Sequence, residues 1–118
     1  MRILKIDAVA KQFNVSTATI RYYEREGLLG PINRVNGIRQ FASSDLERID
    51  FILCVKECGM TLAQIKHFLA IYQKGDDTIE ERLTILQDQL VQSEEKVNQL
   101  KRSIQHLKTK IEDVKQLM

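Results

Sequence analysis

The sequence predicts a mainly α-helical chain: a small head built on two short helices and a hairpin, then one long C-terminal helix. Three observations predict it. Apolar residues near the N-terminus recur at helical spacing on both sides of a short break. The run NRVNGIRQF carries a tight-turn signal between extended residues. From Ile79 to the last residue, apolar positions alternate in steps of four and three.

Taken in order, Ile6, Val9, Ala10 and Phe13 fall at i, i+3, i+4 and i+7, one face of a short helix, with Asp7 in its first turn at the positive end of the helix dipole. Asn14-Val15 forms a tight break, and Ser16 is a good N-cap for a second helix that stops at Gly27. Residues 28–41, LLGPINRVNGIRQF, read as extended segments around a turn at Asn36-Gly37. Ser44-x-x-Glu47 has the form of a capping box opening a third helix that runs to Gly59, with Leu46, Ile49 and Leu53 along one face. Thr61-x-x-Gln64 repeats the device for a fourth helix ending near Gly75.

The heptad stretch begins at Ile79, and only Ser93 interrupts its apolar seam. A helix from Asp77 to the end would be about 60 Å long. A head of about 75 residues cannot bury such a seam, which predicts a dimerising coiled coil; the alternative is a helix folded back on its own head. The heptads fit a parallel or an antiparallel partner equally well. The expected organisation is thus a head over residues 1–75 and a dimerisation helix over 76–118.

Composition bounds the function. With 118 residues, 43% of them apolar, the chain suits one small domain. The net charge of +2 is unevenly spread: residues 1–43 carry seven basic side chains against three acidic, and residues 75–118 carry seven against nine. A basic front suits a polyanion-binding head. No apolar run is long enough for a membrane span, and the N-terminus lacks a signal-peptide core. Two cysteines without an export signal are expected to be reduced thiols in the cytoplasm. A single proline, Pro31, and little low-complexity sequence argue against disorder.

At 100° per residue, Thr17, Ala18, Arg21, Tyr22 and Arg25 share one side of the second helix, while Ile20 and Tyr23 share the other. Tyr23 is expected in the core and Tyr22 outside beside two arginines. A short helix, a tight break and a second helix with this outer face describe a helix-turn-helix. Thr17 and Ala18 are small enough for the backbone to approach base edges, and Arg21 and Tyr22 can reach bases or phosphates. The hairpin, with Asn36 and Gly37 at its tip flanked by Arg34 and Arg39, reads as a basic wing beside that helix. The expected architecture is a winged helix-turn-helix DNA-binding domain followed by the dimerisation helix.

These stretches resemble the MerR-type transcriptional regulators. ATIRYYEREGLL, the wing RVNGIRQF followed by DLERIDFI, and GMTLAQIKHF each look like a family signature, in the usual order and spacing, over essentially the whole chain. The resemblance implies a homodimer joined by an antiparallel coiled coil, bound to double-stranded promoter DNA that it distorts so that RNA polymerase can use it. It implies groove or backbone contacts from Thr17, Thr19, Arg21 and Tyr22, wing contacts from Arg34, Asn36, Gly37 and Arg39, and a phosphate contact from Lys66. With Ser16, Ala18 and Arg25 these complete the candidate DNA-binding set. Ile38 and Phe41 stand where the family often has tyrosine, so a hydroxyl–phosphate contact is lost there.

Neither a metal nor a cofactor is expected: His67 and His106 lie far apart and read as helix-surface residues. Cys54 and Cys58 sit one turn apart in FILCVKECGM, Cys54 at the margin of the apolar face. Cys58 reads as a small buried hydrophobe. The stretches FILCVKECGM and GDDTIEERLTIL resemble the AdhR/NmlR subgroup, whose members carry a cysteine at the position of Cys54. That subgroup is associated with thiol sensing of aldehydes, other electrophiles and nitrosative stress, which makes Cys54 the candidate sensor and inert packing its rival. Lys56, or a basic group across the dimer, would favour the reactive thiolate. A Cys54–Cys58 disulfide is not expected within a regular helix, and C-x-x-x-C lacks the setting of a redox motif, so no enzyme is expected. The rival reading of the whole chain is a coiled-coil DNA-architectural or interaction protein without a sensor.

Overall fold

Asn14 adopts φ 55° and ψ 46°, a left-handed conformation that ends one helix and turns the chain into the next within two residues. The helices it joins are α1 (Ile6–Phe13) and α2 (Thr17–Arg25). The computed structural model describes residues 3–118, so Arg2, counted above in the basic head, lies outside the described residues. The chain divides into two units, one ending at Thr78 and one over Ile79–Met118.

In the first unit, α1 buries Val9 and Ala10 as its spacing predicts. Ser16 caps α2: its Oγ accepts from the Thr19 backbone N–H at 3.1 Å. Gly27, at φ 79°, follows the end of α2. The hairpin pairs β1 (Asn33–Val35) with β2 (Ile38–Gln40), antiparallel, in the register Asn33↔Gln40, Arg34↔Arg39 and Val35↔Ile38. Asn36 and Gly37 both have positive φ, 52° and 77°, as a two-residue turn matched to strand twist requires. The segment before α1 joins this hairpin, because Leu4 and Phe41 exchange both backbone hydrogen bonds, at 3.0 and 2.8 Å.

The third helix, α3 (Ser43–Glu57), begins one residue before the expected Ser44 cap. Its N-cap is Ala42, and the Asp45 carboxylate accepts from the Ala42 N–H at 2.8 Å, so no box forms between Ser44 and Glu47. Its buried face also differs from the expected one. Ile49, Ile52 and Val55 are buried, while Leu46 and Leu53 are half-buried at its edges. The fourth helix, α4 (Leu62–Gln73), opens on the expected box, with Thr61 and Gln64 exchanging side-chain to backbone bonds at 3.1 and 2.8 Å. Gly75, at φ 98°, stops the chain after α4. The Thr78 hydroxyl donates to the carbonyls of Ile71 and Gly75, which folds Asp76–Thr78 into a tight turn.

The core draws on all four helices of this unit, on Leu28, Leu29 and Ile32 after α2, on Phe41 after β2 and on Met60 before α4. Neither strand contributes a buried residue. Val9, Ile20, Leu28, Phe41, Ile49, Ile52 and Ile65 are almost fully enclosed, and each such side chain contributes about 1.5–3 kcal/mol on burial. Phe51 of α3 stacks on Phe68 of α4 with centroids 4.9 Å apart.

The second unit is the helix α5 (Ile79–Lys115). It starts two residues later than expected, because Asp76 and Asp77 belong to the tight turn. Its 37 residues span about 55 Å. The apolar seam from Ile79 to Val114 is exposed throughout, from 37% at Leu86 to 63% at Leu100 and Leu107.

Candidate nucleic-acid interface

Helical phase divides α2 as the sequence predicts. Ile20 and Tyr23 turn inward, at 1% and 4% exposure. Burial, with Tyr22 beside it, raises the Tyr23 hydroxyl above its ordinary value. On the other side Ala18, Arg21, Tyr22 and Arg25 are exposed and Thr17 is half-exposed. The Arg25 guanidinium carbon lies 5.6 Å from the Tyr22 ring centroid, a cation–π distance that stiffens both side chains. Ser16 and Thr19 stand at the amino end of this face. Their hydroxyls bond each other at 2.9 Å, so both are oriented by the cap.

The wing stands beside this face. Asn36 and Gly37 at its tip are exposed, and nothing lies within 4 Å of where a Gly37 Cβ would be, which leaves the backbone open to an approaching surface. Its two arginines are engaged within the protein: Glu24 of α2 accepts from Arg39 Nε at 2.6 Å and from Arg34 Nη2 at 3.1 Å. Arg21, Glu24, Arg25, Arg34 and Arg39 together line a surface cleft of about 360 Å³ between α2 and the wing. Four cations around one carboxylate leave it strongly positive, and such a cleft concentrates anions. Lys66 of α4 reaches the carboxyl end of α2, where its Nζ lies 3.3 Å from Oε1 of the C-cap Glu26.

The structure therefore brings Arg21, Arg25, Arg34 and Arg39 into one cleft, with Tyr22 beside Arg25. The residue that sequence reasoning missed is Glu24. The signal was present: a two-residue turn at Asn36-Gly37 sets Arg34 opposite Arg39, and two facing like charges call for an anion.

Cys54 lies on α3, outside the group that lines this cleft, and is exposed. Cys58 is exposed as well, against the expectation of burial. The core stripe of α3 runs through Ile49, Ile52 and Val55, and Cys58 follows as the C-cap beyond it. No disulfide joins the two. Lys56, two positions from Cys54, projects from a different side of the helix. Among the described residues no three His, Cys, Asp or Glu side chains gather as a metal site, and no helix is long and apolar enough to cross a membrane.

Comparison with known proteins gives two family matches. Residues 4–70 match the model of the MerR HTH family regulatory proteins, and residues 46–117 match the MerR DNA-binding model. The chain is 39% identical over 87 residues to the HTH-type transcriptional regulator AdhR of Bacillus subtilis, an alignment covering 73% of this chain and 62% of that one. Among solved structures, HiNmlR, a MerR family regulator lacking the sensor domain and bound to promoter DNA, superposes with a TM-score of 0.78 at 35% identity over 87% of this chain and 79% of that one. A MerR family transcriptional regulator from Bacillus thuringiensis superposes with a TM-score of 0.79 at 30% identity, covering 93% of this chain and 97% of that one.

Proposed function

This chain belongs to the MerR family of helix-turn-helix regulatory proteins and is a DNA-binding transcription regulator, and from that premise we propose how it works. The protein acts in the cytoplasm as a homodimer joined through α5 in an antiparallel coiled coil. It sits on a palindromic promoter, α2 in the major groove and the wing on the flanking backbone, and distorts the duplex so that RNA polymerase can use it. The observation that carries this reading is the single basic cleft shared by the outer face of α2 and the wing, with Arg21, Tyr22 and Arg25 exposed along one side. The exposed seam of α5 supports dimerisation, since an apolar stripe of that length is stable only when covered.

Within this reading Arg21 and Tyr22 contact base edges or phosphates, Thr17 and Ala18 let the helix backbone approach, and Ser16 and Thr19 orient its amino end toward a phosphate. Asn36 and Gly37 bring backbone amides to the next phosphate, with Arg34, Arg39 and Lys66 supplying charge. Distorting a promoter costs on the order of 1–6 kcal/mol, so the signal must favour the distorting conformation by a comparable amount. Cys54 receives that signal. Its thiolate adds to an electrophile such as an aldehyde, forming a carbon–sulfur bond while the carbonyl oxygen takes up a proton. Exposure on α3 supports the assignment, as does the resemblance of FILCVKECGM and GDDTIEERLTIL to the AdhR/NmlR subgroup.

The test pairs intact mass spectrometry with transcription in vitro, on wild type and Cys54→Ser, before and after aldehyde. A mass adduct and induction that both require Cys54 are expected; normal induction of Cys54→Ser overturns the sensor assignment. Arg21→Ala is expected to weaken promoter binding by roughly 1–3 kcal/mol if the side chain reads a base. Wild-type affinity in that variant would remove Arg21 from the interface.

A further inference from the structure

Arg34 and Arg39 face each other directly across the wing, and a cross-strand pair of like charges by itself drives strands apart. One carboxylate stands between them. Glu24 gives one oxygen to each arginine, at 3.1 and 2.6 Å, across ten and fifteen residues of chain, and its side chain is only 16% exposed. Leu28, Leu29 and Ile32 before the wing and Phe41 after it, bridged to Leu4, seat the base of the wing in the core, but every residue from Asn33 to Ile38 is exposed. The connection from α2 is pinned by the buried Leu28 and Leu29 and by the Leu28 N–H bond to the Tyr23 carbonyl, which fixes the base of the wing but not its exposed strands. Beyond its base, the wing is held to α2 by Glu24.

We propose that Glu24 is a positioning residue of the DNA interface: it holds both strands of the wing at one offset from α2, so that helix and wing engage the duplex in the same register. The inference rests on the reading above that α2 and the wing face DNA. It makes preference for the protein's own site depend on a carboxylate whose charge opposes DNA binding. Plain electrostatics predicts the reverse effect of removing that charge, because one fewer anion in a cleft of four arginines strengthens binding to any duplex.

The experiment uses Glu24→Gln and Glu24→Asp in the full chain, with two fluorescent duplexes of equal length: one selected by the wild-type protein from a random pool, one unselected. Anisotropy titrations of Glu24→Gln are expected to show unchanged or tighter binding to the unselected duplex, weaker binding to the selected one, and a ratio about tenfold lower. Glu24→Asp keeps the charge but shortens the reach, and is expected to lower the ratio too. Backbone amide exchange on the free proteins is the independent readout. The strand amides of the wing are expected to exchange faster in both variants, with α1 and α2 unchanged. A wild-type ratio in either variant overturns the proposal, as does exchange accelerated evenly across the head, which marks Glu24 as a general stabiliser. If the wild-type protein enriches no duplex, the DNA reading of this surface fails, and exchange alone decides whether Glu24 anchors the wing.

Discussion

Tyr22 and Tyr23 adjoin in the chain, their ring centroids 6.1 Å apart, yet one is 36% exposed under an arginine and the other 4% exposed in the core. Burial and the neighbouring Tyr22 raise the Tyr23 hydroxyl above its unfolded value of 10.0. The folded state then keeps a proton that the unfolded state has lost, so stability is unaffected below about pH 9 and falls as pH climbs through the folded value. Urea midpoints at about pH 9 and about pH 11 should separate for wild type and separate less for Tyr23→Phe; equal separation would show that Tyr23 does not titrate with unfolding. The inward and outward roles of this pair were legible in the sequence, because helical phase depends only on position. Glu24 was not read, although its neighbours were, since its partners come from another element. Phe41 was read only as a lost wing tyrosine, whereas it is fully buried and belongs to the core.

Three helix starts in the head differ in how they are capped. Ser16 and Thr61 each accept a backbone N–H, whereas α3 starts at Ala42 with no capping side chain. Ser16→Ala should lower stability by about 1 kcal/mol, and Ala42→Ser should raise it by up to about as much, because the backbone there is already extended at φ −89° and ψ 171°. Thermal melts of the two variants should move in opposite directions; a fall for Ala42→Ser would show that half-buried Ala42 has no room for the hydroxyl. The same helix start explains why the sequence misled. Ser44-x-x-Glu47 has the form of a capping box, but the chain caps two residues earlier, at Ala42, and Asp45 rather than Glu47 closes onto the backbone. Cys58 is exposed for a different reason: it is the C-cap, past the last buried residue of α3, Val55. The turn at Asn36-Gly37 was legible because its chemistry is local. The Leu4–Phe41 bridge was not, since one isolated pair across the head leaves no periodic trace.

For the whole molecule, charge and apolar surface are sorted along the chain: the basic cleft lies in the first unit and the open seam in the second. Two heads on one palindrome would double the phosphate contacts, so binding to such a duplex should weaken steeply with salt. Leu100→Glu places a charge on the seam at a side chain 63% exposed in the single chain. Sedimentation should show this variant as a monomer beside a dimeric wild type, with a salt slope for the palindrome about half as steep. A dimeric Leu100→Glu would mean that subunits pair elsewhere. The seam also limits how this helix can change in length. One inserted residue rotates everything downstream by about 100° and turns the following leucines out of line, while seven restore the stripe and add about 10 Å. Insertions and deletions in α5 should therefore be tolerated in sevens, whereas the two-residue wing tip has no such periodicity to keep.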